Sequence, residues 1–223
     1  MKRFLISILF LLNTLSIFAQ SSSSFTGAAD NDVTGDDKWR KYTGQSNASA
    51  SLKVISGAAA SPYHPTGAGF FGGAFWDSAM TAPFEFGYVV KAVGSGNDGS
   101  SGFYLVVSAD TNLTTATGYF GRHQVLANGS SAYRLRRFTN LTSSPAGTNL
   151  VNLTSAVSAV NDTILMRIYA DGRKTYIVKT SAGVVDSGSI VDATYNVATT
   201  AVRVGLYGVV QTTDHKVDDF FIR

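Results

Sequence analysis

The chain has 223 residues, no cysteine and a formal net charge of +3. Two of its 18 basic residues, Lys2 and Arg3, open an export leader, and without them the balance against 15 acidic residues is close to neutral. That balance excludes the broad positive field of a nucleic-acid binder and a polybasic membrane patch. The missing cysteine excludes a disulfide framework, thiol catalysis and thiolate metal sites, so core packing alone must hold the fold.

Residues 1–19 have the layout of a signal peptide. Lys2 and Arg3 give a basic start, Phe4 to Phe18 is almost wholly apolar, and Ala19 is a small residue at its end. The apolar stretch is shorter than the ~20 residues of a membrane helix. Cleavage after Ala19 is expected, leaving no stable membrane span. The protein would be secreted, displayed on the cell surface or held in a periplasm. Residues 20–24 are a short Ser-rich lead, and residues 25–223 read as one domain.

Glu85 is the only glutamate in the chain. Helix surfaces favour Glu, Lys, Ala and Leu, whereas this sequence uses Thr, Ser, Val, Tyr, Phe and Gly, which suit strands and tight turns. Strand-like runs are expected at 38–42, 51–55, 69–76, 84–93, 103–108, 117–126, 132–139, 163–170, 174–180, 202–210 and 216–222. In the 84–93 run Glu85 and Lys91 alternate with apolar residues, as in a half-buried strand. Residues 94–102 form a glycine and serine loop. Asn128-Gly129 signals a two-residue hairpin turn, because both positions of a type I′ turn take positive φ. Asp171-Gly172 is a second hairpin signal, and 140–162 reads as a looser stretch.

The pattern resembles the concanavalin A-like and laminin G-like domains. The resemblance is carried at the start by Phe25-Thr26-Gly27, Asp30 and Trp39, and in the middle by Gly118-Tyr119-Phe120 through Tyr133-Arg134-Leu135 and by 164–172. At the end it is carried by Val204-Gly205-Leu206-Tyr207-Gly208 and Val217-Asp218-Asp219-Phe220-Phe221-Ile222. It covers nearly the whole chain after the leader. It implies an all-β fold, a two-sheet antiparallel jelly-roll sandwich. It also implies glycan binding on the concave face or edge loops, with a calcium ion commonly bound.

Some relatives of this fold are glucanases, and a retaining mechanism needs two carboxyl groups ~5 Å apart. Glu85 cannot supply a pair, and the adjacent Asp218 and Asp219 point to opposite faces of a strand. No catalytic residue is therefore assigned. His64, His123 and His215 have no zinc spacing. Asp30, Asp32 and Asp36, beside Asp37, form an acidic cluster in a glycine-containing loop, and pairing of the first and last strands could bring Asp218 to it. Calcium takes six to eight oxygens from such groups, although a solvated loop explains the same composition.

The central hairpin is the main ligand candidate. A two-residue turn at Asn128-Gly129 would set His123 opposite Arg134 and Tyr119 opposite Phe138. Tyr119, His123, Arg134 and Arg136 would then share one face, with Gly121 leaving space between them, and could take a sugar or an acidic sugar. An ordinary sheet face, with arginines solvated over aromatic stems, explains the same set. A register change of one residue would scatter it. Trp39, Phe70, Phe71, Phe75 and Trp76 read as core or edge-packing residues.

Three functions follow from these features. The first is a secreted non-catalytic carbohydrate-binding module. The second is a structural or adhesion component of a cell-surface or virion-fibre assembly. The third is a glycoside hydrolase-related domain. A glycan or polysaccharide is the expected partner and nucleic acid is not.

Overall fold

A computed structural model of the chain describes residues 21–23, 25, 33–35, 38–44, 52–55, 57–60, 70–93, 101–125, 131–141, 147–153, 158–210 and 215–223. The expected leader, Asp30, Asp32, Asp36 and the Asn128-Gly129 turn lie outside these residues. The strands are β1 (Ser21–Ser23), β2 (Trp39–Lys41), β3 (Lys53–Ile55), β4 (Ala58–Ala60), β5 (Phe70–Trp76), β6 (Phe84–Ala92), β7 (Ser101–Ser108) and β8 (Gly118–Val125), followed by β9 (Ser131–Phe138), β10 (Gly147–Leu153), β11 (Thr163–Ile168), β12 (Arg173–Lys179), β13 (Val185–Val191), β14 (Arg203–Val210) and β15 (Lys216–Ile222). One 3-10 turn, Val33–Gly35, is the sole helical element among the described residues. No helix there is long and apolar enough to cross a membrane.

Strand alternation sorts these elements into two antiparallel sheets. One has the order β13-β12-β11-β6-β15-β4-β3, with β1 added against β15, and the other has the order β10-β9-β8-β7-β14-β5-β2. On β6, Phe84, Phe86, Tyr88 and Val90 turn inward and are buried, as the alternation of 84–93 requires. They meet Phe103, Leu105 and Val107 of β7 and Val204 and Leu206 of β14 in one core between the sheets. The expected two-sheet sandwich is what the chain forms. The Asp171-Gly172 signal also forms its hairpin: Gly172 takes φ +82°, and Ile168 pairs with Lys174 across the turn.

Four strands fall where the apolar pattern marks none, the short β1 and β4 and the longer β10 and β13; the longer two are the informative ones. Both are sheet edges. On β13, Val185, Ser187, Ser189 and Val191 are exposed while the residues between them are only half-buried. An edge strand can be held by ladder bonds on one side without a buried apolar face, so it leaves little trace in hydropathy.

The β8–β9 register is the decisive departure from expectation. Gly118 pairs with Phe138, Tyr119 with Arg137, Arg122 with Arg134 and His123 with Tyr133. A two-residue turn at 128–129 would pair 119 with 138, so the observed ladder is displaced by one residue. Every side chain of one strand therefore sits opposite a partner of the other parity than expected.

Gly121 illustrates the consequence. The space beside it is filled by the ring of Tyr176 from the facing sheet. A Cβ at position 121 would lie 2.5 Å from Tyr176 Cε2 and 2.8 Å from Cδ2. Gly121→Val is expected to destabilise the fold by about 1–3 kcal/mol through overpacking. Urea unfolding would read this as a lower midpoint. An unchanged midpoint would mean that the Tyr176 ring turns aside without cost.

Candidate functional site: an arginine face on the seven-stranded sheet

The displaced register splits the expected ligand set between two faces. Tyr119 and His123 point into the sandwich and are fully buried, whereas Arg134 and Arg136 lie on the outer face. Each inward residue is engaged in the interior. The Tyr119 hydroxyl lies 3.1 Å from an Asp192 carboxylate oxygen and accepts the Tyr195 amide at 3.2 Å, and the Lys174 ammonium sits 4.3 Å from the ring centroid. Lys174 also donates to the carbonyls of Gly172 and Asp192, both at 2.7 Å. Arg137 donates to Asp192 at 2.8 Å. This network ties the segment after β13 to the end of the sandwich.

His123 lies in a buried polar cluster. Its Nδ1 is 3.3 Å from the Tyr88 hydroxyl and its Nε2 is 2.8 Å from Ser158 Oγ. The ring stacks on Tyr133 at 4.9 Å and lies 4.8 Å from the His215 ring. Burial, and then the neighbouring imidazole, hold His123 well below the ordinary histidine range. Burial pushes His215 down to about 4. Both rings are therefore neutral core residues at pH 7.

The outer face brings together residues that the hairpin pattern alone passes over. Phe120, Arg122 and Gln124 of β8 share it with Arg134, Arg136 and Phe138 of β9. Arg122 stands between Arg134 on one side and Tyr104 of β7 on the other, and Tyr104 in turn pairs with Tyr207 of β14. Tyr104 and Phe120 stack at 5.0 Å with 13° between their planes. The Arg122 Cζ is 5.9 Å from the Tyr104 centroid and the Arg136 Cζ is 5.7 Å from the Phe120 centroid. Arg136 also donates to the Gly147 carbonyl at 2.5 Å. At one end the face is closed by Leu113, Ala116 and Leu141, which pack on Val106, Phe120, Phe138 and Tyr207. The three arginines remain half-buried beyond that cover.

The charge on this sheet has one sign. None of its seven strands contains Asp or Glu, and its charged residues are Arg40, Lys41, Arg122, Arg134, Arg136, Arg137 and Arg203. Arg40 and Arg137 reach carboxylates outside the sheet, Asp77 and Asp192. Among the described residues neither Arg122 nor Arg134 has a carboxylate partner. Burial, with Arg122 and Arg134 adding repulsion, lowers the pKa of Arg136. Burial raises the Tyr104 phenol despite the arginines around it, so Tyr104 is a neutral floor and not a base.

Among the described residues, the carboxylates Glu85, Asp218 and Asp219 lie on the other sheet and are occupied. Glu85 is on the other sheet, held by Arg167 at 2.5 Å and 2.8 Å and by Arg223. Burial alone would raise its pKa, but these hydrogen bonds and charges outweigh it and hold Glu85 ionised. Asp218 is buried, and its Oδ1 accepts the Phe25 amide at 2.7 Å, fastening the chain beside β1. The next residue, Asp219, pairs with Lys91 at 2.7 Å. No group of three potential metal ligands occurs among the described residues. Of the four residues expected to hold calcium only Asp218 is described, and it serves a backbone amide. Trp39 and Trp76 are buried, as expected of core residues, and Phe75 packs on the edge of the outer cluster.

No family model matches the sequence, and no curated protein matches it. Solved structures do match. Lectin I from Ulex europaeus, in complex with the methyl glycoside of α-L-fucose, aligns over 91% of this chain and 97% of that one, with a TM-score of 0.59 and 11% identity. The VIP36 exoplasmic/lumenal domain, in a Ca2+/Man3GlcNAc-bound form, aligns over 86% of this chain and 85% of that one, with a TM-score of 0.59 and 13% identity. A legume lectin-like domain from Entamoeba histolytica covers 90% of this chain and 95% of its own, with a TM-score of 0.55 and 8% identity. The likeness is one of fold. The sandwich is legume lectin-like, that is, concanavalin A-like.

Proposed function

We propose that this concanavalin A-like sandwich is an exported, non-catalytic carbohydrate-binding module that takes its ligand on the outer face of the seven-stranded sheet. The observation that carries the reading is a half-buried polar face, floored by stacked aromatic rings, on a sheet whose strands contain no carboxylate. Hydrolysis of a glycosidic bond needs a carboxyl pair, whereas binding needs donors held in place over an apolar floor. The fold likeness to sugar-bound lectins supports the class of ligand, and fold alone does not select the sugar.

The test is a glycan and polysaccharide array on the exported form of the chain, run with calcium and with chelator. Binding to a defined sugar class is the expected result. Loss with chelator would add calcium to the site. A blank array with folded protein would overturn the reading. The β13 edge favours a second one, an assembly component, because Val185 and Val191 are 60% and 66% exposed on an edge strand. Concentration-dependent oligomers in sedimentation would support it, and a strict monomer would remove it.

A further inference from the structure

We propose that the arginine face selects an acidic polysaccharide, a polymer carrying a carboxylate or sulfate on its sugars, over neutral glycans. This deepens the carbohydrate-binding reading and rests on it.

Arg122 and Arg134 stand directly opposite each other across the β8–β9 ladder. Like charges in that position repel and cost stability. Arg136 lies on the same face two residues along β9, ~7 Å from Arg134 along the strand. Among the described residues no carboxylate relieves Arg122 or Arg134, and burial makes their repulsion larger than it would be in water. A bound anion removes the repulsion and gains charge-assisted hydrogen bonds.

The chemistry of the donors points the same way. A guanidinium presents a planar fork that matches a carboxylate or sulfate edge, and stacking on aromatic rings limits its motion before the ligand arrives. Tyr104 and Phe120 supply that floor under Arg122 and Arg136. Among the described residues the Arg122 Nε is buried without a hydrogen-bond partner, and so is the Oε1 of Gln124, two residues further along the same face and 2% exposed. Such unmet groups are rare in folded proteins and mark a place where a partner is missing. The charges spread both along β9 and across to β8, so a polymer with a charge on successive sugars meets several guanidiniums where a single sugar meets one.

The exported form of the chain would be titrated with polygalacturonate, its methyl-esterified form, dextran sulfate, neutral dextran and single-stranded DNA, by calorimetry at two salt concentrations. Binding to polygalacturonate or dextran sulfate, weakened by salt and absent for the esterified and neutral polymers, is the expected result, and the polymer that binds identifies the anionic group. Arg122→Gln and Arg134→Gln are each expected to weaken binding about tenfold or more. Arg122→Gln should also leave the melting temperature unchanged or raise it, because it relieves repulsion. A variant that lowers the melting temperature would be replaced by Arg122→Lys, which keeps the charge, loses the fork and is expected to weaken binding all the same.

Binding to neutral polymers, unaffected by Arg122→Gln, would overturn this inference and leave the carbohydrate-binding reading standing. No binding to any polymer would overturn both. Equal binding to DNA would show general attraction to polyanions and overturn the selectivity. Release of unsaturated uronate products would overturn the non-catalytic reading.

Discussion

Lowering the pH from 7 to 4 is expected to remove about 3 kcal/mol or more of folding free energy, through His123 and His215. In the unfolded chain each ring takes up a proton near the ordinary value of 6.5. In the folded chain His215 resists protonation until about 4, and His123 is also held far down. Between these values the unfolded state holds more protons, so stability falls as pH falls. At about 1.4 kcal/mol per pH unit, the displacement of His215 alone corresponds to about 3 kcal/mol, and His123 adds to it.

The physical cause is the site itself. His123 is fully buried, bonded to the neutral hydroxyls of Tyr88 and Ser158, and 4.8 Å from His215. Charging one ring desolvates a cation, and charging both adds repulsion. Urea unfolding at pH 7 and pH 4.5 would read the loss, and His215→Phe is expected to flatten the dependence. Equal stability at the two pH values would mean that water reaches the rings. The carboxylates with lowered pKa, Glu85, Asp192 and Asp110, act in a separate window. Their contribution is present above the ordinary carboxylate range and is lost only at lower pH.

Trp39→Ala is expected to destabilise the fold by about 3–5 kcal/mol, the range for an aromatic residue deleted from a packed core. Trp39 is fully buried in an aromatic cluster, edge-on to Trp76 at 5.5 Å and to Phe220 at 4.7 Å, with Phe25 at 5.9 Å. Its Nε1 donates to Ser23 Oγ at 3.2 Å. The one side chain thus joins β2, β5, β15 and the β1 segment, which draws on both sheets. Its removal leaves a cavity and deletes the hydrogen bond to Ser23 together. At this chain length the melting temperature should fall by roughly 2–4 °C per kcal/mol. A loss below about 1 kcal/mol would mean that the β1 segment and its neighbours repack around the gap.

Much of this protein is legible in the amino-acid order because strands report themselves locally. The alternation in 84–93, the hairpin signal at Asp171-Gly172 and the closing run 216–222 each follow from which side chains can be buried on a pleated surface. The single glutamate and the absence of cysteine likewise restrict the chemistry before any fold is known. Edge strands β10 and β13 escape this logic, since only Leu153 of β10 and no residue of β13 is buried, too little for an alternating apolar pattern.

Parity of the central hairpin is different in kind. Asn128-Gly129 suggests a turn, but the register depends on how many residues the whole connection uses, and that is settled by the packing of both sheets. One residue of displacement puts Tyr119 and His123 in the core and sets Phe120 and Arg122 beside Arg134 and Arg136. A local signal for this parity was present: an arginine without a partner costs far more to bury than a tyrosine or a neutral histidine, so Arg122 belongs on the open face. The sequence by itself determined the sandwich and the residue types available for a site. Only the tertiary structure decided which of them face the same way, because a period of two makes the two faces interchangeable until the sheets pack.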